Sequence, residues 1–284
     1  MASLDERFLK MEKPMQRVLI TGAAGRLGKV LRTGLSSNDR VLRLLDIVSL
    51  GEAGEREEIV CCDATDMESV LEAMEDVDVV LHLAAYPEEA PWETIFPLNY
   101  NLTYTVFEAA RRSGIKRVVF ASSVQAVGFH PISEKIDDGA RLRPSGYYGV
   151  SKAFGEALAS LYADKHGISF VCVRVASFEA EPTDTRMLST WLSHEDGVHL
   201  FDRCLRAPEH HFFTVYGVSN NTRSQVDNAH VNWLGYNPIS NAEDFAEKVM
   251  SNGDELGPLA AKTHGGGACD VGFDADIMRS LHAK

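Results

Sequence analysis

The chain has 284 residues, 45% of them hydrophobic and 24% charged, which is the composition of an ordinary globular protein with room for one α/β core and a modest appended lobe. Its 41 acidic residues exceed 28 basic ones to give a net charge of −13, and with no local basic patch this argues against a nucleic-acid or anionic-membrane partner. No run approaches the roughly 18 apolar residues of a membrane helix, residues 1–15 lack an apolar leader, and the five cysteines form no CxxC pair, so the chain reads as cytoplasmic with free thiols.

From Arg17 onward, short apolar runs alternate with longer amphipathic ones. VLIT (18–21), VLRLLD (41–46), EIVCCD (58–63), DVVLHLAA (78–85), RVVFASS (117–123) and SFVCVRV (169–175) predict strands, and helices are predicted to Leu35 and near 66–75, 92–113 and 148–165. Continuous Val/Ile/Leu runs without polar alternation belong to strands buried on both faces, so the expected fold is an α/β, Rossmann-type doubly wound parallel sheet. The expected division is a cofactor-binding domain over 16–176 and a small C-terminal substrate-binding lobe over 177–250, which is rich in His, aromatic residues and Asn. Residues 1–15 and 251–284 read as flexible extensions, although the Gly triplet at 265–267 also suits a clamp.

Gly22, Gly25 and Gly28 lie between the first strand and its helix, where bare backbone and a helix N-terminus can cradle a pyrophosphate. A tight strand-to-helix turn would use the same glycines. Asp46 ends the second strand, placed to accept from a ribose 2′-OH and to repel a 2′-phosphate, which favours NAD over NADP. Arg26 points the other way if it meets a 2′-phosphate, or it is a solvated side chain. Asp63 either reaches an adenine amino group or caps the helix starting near Asp66. Leu83, Ala84 and Ala85 put small residues at the end of the fourth strand, where a ligand must pass close to backbone.

Tyr148 and Lys152 share a helix face at i, i+4 spacing. An ammonium beside a phenol favours the phenolate, so the pair is expected to lower the Tyr148 pKa and supply a general base. Ser123, ending the fifth strand, would donate a hydrogen bond to the reacting oxygen. His130, His194, His199, His210 and His211 lack an HExxH-type arrangement, and no metal site is expected.

Together TGAAGRLG, HLAA, ASS and YGVSK resemble the extended short-chain dehydrogenase/reductase family over roughly residues 16–250. The resemblance implies NAD-assisted hydride transfer with Ser123, Tyr148 and Lys152 as the catalytic set, Lys152 also bonding the nicotinamide ribose. It extends the cofactor contacts to Leu27, Ala64, Ser122 and the supporting Asn99. TRMLSTWLSHED, YYGVSKAFGEALASLY and APW are similar to the uronate dehydrogenases and related archaeal sugar dehydrogenases, which oxidise C1 of a cyclic sugar to a lactone. That similarity implies that Arg186 binds a substrate carboxylate with help from Ser177; on spacing alone Arg186 is a surface helix residue. The departures are Val124 and Gln125, where those enzymes carry Asn-His, and Pro87, where they carry a serine. Losing such polar contacts predicts a kept reaction type with an altered substrate. A nucleotide-sugar epimerase or dehydratase with retained NAD and a non-catalytic NAD sensor are the competing readings, and helices 92–113 and 148–165 could pair in a homodimer as in family members.

Overall fold

The computed structural model describes residues 15–253 and 256–281. The apolar runs fold as β1 (Gln16–Thr21), β2 (Arg40–Asp46), β3 (Glu57–Cys61), β4 (Val79–His82), β5 (Arg117–Ser123) and β6 (Ser169–Val175). Short strands β7 (Ser177–Phe178) and β8 (Trp191–Leu192) pair with each other, and β9 (Phe212–Gly217) returns to the main sheet. The helices are α1 (Arg26–Gly34), α2 (Met67–Ala73), α3 (Trp92–Ile95), α4 (Leu102–Arg112), α5 (Tyr147–His166), α6 (Met187–Thr190), α7 (His194–Leu205), α8 (Ala246–Asn252) and α9 (Ile277–Leu281).

The main sheet runs β3-β2-β1-β4-β5-β6-β9, every pair parallel. Successive side chains of a strand face opposite sides of a sheet. Val18 and Ile20 accordingly join Leu31, Leu35, Leu200 and Phe201 on one face, where α1 packs beside α7. Leu19 joins Val70, Val106, Phe107 and Ala159 on the other, under α2, α4 and α5. Two apolar cores on one sheet explain why its strands read as unbroken hydrophobic runs. Strand order reverses between β1 and β4, and the chain ends there open a crevice of the kind in which such sheets bind ligands.

Three expectations change. Part of the segment after residue 176 belongs to the main sheet, since β9 extends it beside β6 and α7 packs on its face, while α6, β8 and α8 share a small cluster of their own around Leu188, Trp191 and Val249. The helix predicted over 92–113 is divided into α3, a wide π-helical stretch at Phe96–Asn101 containing Pro97, and α4. Residues 256–281, expected as a flexible extension, are docked: Leu259, Thr263, His264 and Cys269 are buried. Residues 1–14 of the other expected extension lie outside the described residues.

Candidate active site

A cleft of about 720 Å³ runs along the C-terminal ends of β1 to β6. At its floor Gly22, at φ +73°, approaches β4 so closely that an added Cβ would sit 2.6 Å from the Ala84 nitrogen. Gly28 seats α1 on the turn, where a Cβ would lie 2.5 Å from the carbonyl oxygens of Gly22 and Ala23. Both contacts are with backbone, so neither glycine can be replaced without moving the turn. The N-terminus of α1 has neither a side-chain cap nor an acidic residue in its first turn. Its free N–H groups and positive dipole end make a site for an anion.

Asp46 lines the cleft and accepts from the Ala24 amide at 2.9 Å and the Val48 amide at 3.2 Å, which ties β2 to the glycine turn and leaves lone pairs for a ligand. Asp66, not Asp63, caps α2 by accepting from the Ser69 amide. Asp63 folds its own loop by accepting from Thr65 and faces the cleft with Ala64. Arg26 reaches across the opening to Glu179, 3.1 Å away, although its side chain stays 72% exposed. Leu27, Leu83, Ala84 and Ala85 also line the cleft.

Ser123, Tyr148 and Lys152 meet in the middle of this cleft. The Ser123 hydroxyl, at the end of β5, accepts from the Gln125 amide at 3.2 Å and faces the same cleft as the Tyr148 phenol. Lys152 donates to the Ala121 carbonyl at 2.8 Å, and its ammonium lies 5.6 Å from the Tyr148 ring centre and 5.0 Å from that of Phe120. Burial pushes the Tyr148 phenol up to about 12, and the nearby Ser123 hydroxyl and Arg26 charge only partly offset it. Burial also lowers Lys152 to about 7. The expected depression of the phenol is therefore not present: desolvation outweighs the cation, which is itself destabilised by burial and engaged with a carbonyl.

The start of α5 has no cap of its own at Gly146, and Glu89 from the loop after β4 supplies one, accepting from the amides of Tyr147 at 2.8 Å and Tyr148 at 3.0 Å. Nothing in local spacing signalled this contact. Asn99 does not line the cleft. Its amide accepts from the Tyr86 amide and donates to the Tyr86 carbonyl and Ser151 hydroxyl, while Ser151 donates to the Tyr148 carbonyl. It ties the loop after β4 to the helix bearing Tyr148, so the expected cofactor contact becomes a bracing one.

Ser122 lines the cleft, but its hydroxyl donates to Glu156 at 2.6 Å. Glu156 is in turn gripped by both arms of Arg174, which also donates to the Tyr216 hydroxyl. This fully buried network spans α5, β5, β6 and β9, and sequence spacing gave no sign of it.

At the substrate end, Pro87, Gln125 and Ser177 line the cleft. Val124, expected beside them, is buried with Val127, Ile136, Tyr216 and Val218. A 3-10 turn at Val124–Val127 rotates successive side chains by about 120°, sending Val124 inward and Gln125 toward the cleft. Arg186 is not a surface residue: it lies behind Ser177, donates to the Ser177 hydroxyl at 3.2 Å and the His264 carbonyl at 2.8 Å, and lines a separate cavity of about 190 Å³. Burial lowers its pKa, and its Nε has no partner. Phe178, Glu179 and Met187 also line the cleft; for Phe178 and Glu179 the place just after β6 was the available signal. The five candidate histidines have separate partners: His130 the Arg141 carbonyl, His194 the Phe178 ring, His199 the Tyr236 ring, His210 the Pro208 carbonyl and His211 Asp164.

A parallel sheet reversing at β1, a glycine turn beneath an open helix end, and a Ser-Tyr-Lys set over it define the extended short-chain dehydrogenase/reductase architecture. The chain belongs to the NAD dependent epimerase/dehydratase family, whose model matches residues 18–197. It is 42% identical over 258 residues to the uronate dehydrogenase of Pseudomonas syringae pv. tomato, covering 90% of this chain and 94% of that one. It is 37% identical over 253 residues to the NAD-dependent glucose-6-phosphate dehydrogenase of Haloferax volcanii, covering 81% and 95%. Among solved structures, uronate dehydrogenase from Agrobacterium tumefaciens superposes with a TM-score of 0.86 at 40% identity, covering 90% of this chain and 97% of that one. Glucuronic acid dehydrogenase from Chromohalobacter salexigens superposes with a TM-score of 0.87 at 39% identity, with the same coverage.

Proposed function

We propose that this protein is an NAD-dependent dehydrogenase that oxidises the C1 hydroxyl of a free sugar or sugar acid, of the uronate or aldose kind, to a lactone. The observation that carries the reading is the convergence of Ser123, Tyr148 and Lys152 in a cleft that runs from the open end of α1 to Ser177. The turn from Gly22 through Leu27 suits a pyrophosphate, Asp46 a ribose diol, and Asp63 with Ala64 an adenine edge. The backbone of Leu83–Ala85 and Ser122 forms the walls, and Lys152 would meet the nicotinamide ribose. NAD, when bound, supplies the hydride acceptor.

Tyr148 takes the C1 hydroxyl proton while Ser123 donates to the same oxygen. As the C1–H bond breaks, its electron pair leaves as hydride and the C1–O bond becomes a carbonyl. The Lys152 ammonium stabilises the phenolate that must form. Arg186 stands behind Ser177, which lines the cleft, and would offer its guanidinium to a substrate carboxylate seated at that serine, while Gln125 would offer an amide to a hydroxyl. The relatives named as uronate dehydrogenases support a sugar acid as substrate.

The five free thiols suit the cytoplasm, and among the described residues no helix is long and apolar enough to cross a membrane. Contiguous exposed rings of Trp92, Phe96 and Tyr147 on α3, the π-helical stretch and α5 suit a homodimer contact. The test of function is a panel of uronates, aldoses and polyols offered with NAD or NADP and followed by the absorbance of reduced cofactor. NADH formation with uronates or aldoses is expected. Silence across the panel with tight NAD binding would favour an epimerase or sensor.

A further inference from the structure

The Gly triplet at 265–267 has no role in the hydride chemistry, yet it lies against the substrate end of the cleft. The docked C-terminal segment pairs with residues 128–132, which follow the turn after Ser123. The Ile132 amide donates to the Lys262 carbonyl at 2.8 Å, the His264 amide to the His130 carbonyl at 3.0 Å, and the Gly265 amide to the Gly128 carbonyl at 2.8 Å. Asp270 closes the segment from behind by accepting from the amides of Leu259 and Ala260.

Two carbonyls of this segment receive the two side chains expected to read the substrate. Gln125 donates to the Gly265 carbonyl at 2.9 Å while its amide oxygen accepts from Ser145 at 2.6 Å, so the amide is held at both ends. Arg186 donates to the His264 carbonyl at 2.8 Å. The glycines are needed because these side chains, and at Gly265 also Cys269 and the Gly128 backbone, press on them. A Cβ on Gly265 would lie 2.7 Å from Cys269 Sγ, 2.8 Å from Gln125 Oε1 and 2.9 Å from Gly128 Cα, and one on Gly266 would lie 2.4 Å from Arg186 Nε and 2.6 Å from its Cδ. Gly267 differs, since nothing lies within 4 Å of its Cβ position.

We propose that the segment Thr263–Gly266 is a specificity element of the active site, whose two bare glycines and two carbonyls set the positions of Gln125 and Arg186 for a carboxylate-bearing sugar. The inference rests on the oxidation of a sugar acid proposed above. Gly265 and Gly266 are positioning residues: they act through Gln125 and Arg186 and leave the Ser-Tyr-Lys chemistry untouched. A substrate carboxylate uses the face of the guanidinium turned toward Ser177, while the opposite arm stays anchored to His264. Without that anchor, the long Arg186 side chain must be ordered anew for each substrate that binds.

The test compares Gly266→Ala and Gly265→Ala with two controls. Gly267→Ala adds a methyl group in open space, and Gly272→Ala adds one at φ +67° with nothing within 4 Å, so it reproduces the backbone strain of Gly266 (φ +62°) without a contact. KM and kcat are measured for glucuronate or galacturonate and for the neutral aldoses, together with NAD binding and Tm. Gly266→Ala is expected to raise the uronate KM by about tenfold to a hundredfold, the scale of one charge-assisted hydrogen bond, with kcat changed much less. Gly265→Ala should raise KM for uronates and aldoses alike. The controls should leave KM unchanged, and NAD binding should be the same in all four variants. A Gly266→Ala enzyme with wild-type uronate KM overturns this inference alone, as does an equal rise in the Gly272→Ala control. A wild-type enzyme that oxidises no uronate overturns the proposed substrate and this inference with it.

Discussion

Replacing Lys152 with Met keeps the side-chain length and removes the ammonium that lies 5.6 Å from the Tyr148 ring centre. At that separation, with an effective dielectric constant of about 20, a cation stabilises a phenolate by about 3 kcal/mol, or roughly two pH units. The phenol itself stands at about 12 and the ammonium at about 7. Below pH 7 the ammonium is charged, and the phenolate population, hence kcat, should rise about tenfold per unit. Above pH 7 each further gain in phenolate is offset by loss of the ammonium, so the wild-type profile should flatten. Lys152→Met should lower kcat at neutral pH by roughly a hundredfold and should have no flattening, its rate climbing toward the highest pH at which the enzyme survives. The assay is kcat at saturating NAD from pH 5 to 10, a range of about five units across the Lys152 midpoint. If the variant kept the flattening near pH 7, a group other than Lys152 would be titrating.

Glu156→Gln leaves the Arg174 guanidinium buried without its carboxylate, and the loss should be about 3–5 kcal/mol. In a chain of this size that lowers Tm by roughly 6 °C or more, which thermal unfolding would read, and a shift within about 1 °C would contradict the pairing. Asp46→Ala should raise the KM for NAD by about tenfold or more and reduce the preference for NAD over NADP, since it removes both the ribose acceptor and the repulsion of a 2′-phosphate. An unchanged ratio of kcat/KM for the two cofactors would show that Asp46 does not read the ribose.

The strands and the glycine turn were legible because burial on both faces of a parallel sheet writes itself into sequence as unbroken apolar runs. Ser123, Tyr148 and Lys152 were legible for a similar reason, each being fixed by position on one strand end or one helix turn. β9 was not, because FFTVYG is a single short run among His and Asn residues, and period alone does not separate such a run from a helix fragment. Val124 went astray because its direction depends on the tight turn after Ser123. The C-terminal segment was missed for a different reason. It docks largely through backbone hydrogen bonds to 128–132, which need no hydrophobic pattern, and its buried apolar residues, such as Leu259 and Cys269, are too scattered to show a period. The pKa of Tyr148 likewise depends on burial by distant elements, which outweighs the neighbour visible at i+4.

In the proposed reaction Tyr148 is the base that takes the substrate proton. Tyr148→Phe removes only the phenol oxygen and leaves the ring against Lys152 and the cap from Glu89 to the backbone amide. NADH formation by this variant, with the sugar or sugar acid that the wild-type enzyme oxidises, is the most direct measurement. In Tyr148→Phe, kcat should fall by about a hundredfold or more while NAD binding is retained; turnover at the wild-type rate would mean that another group takes the proton.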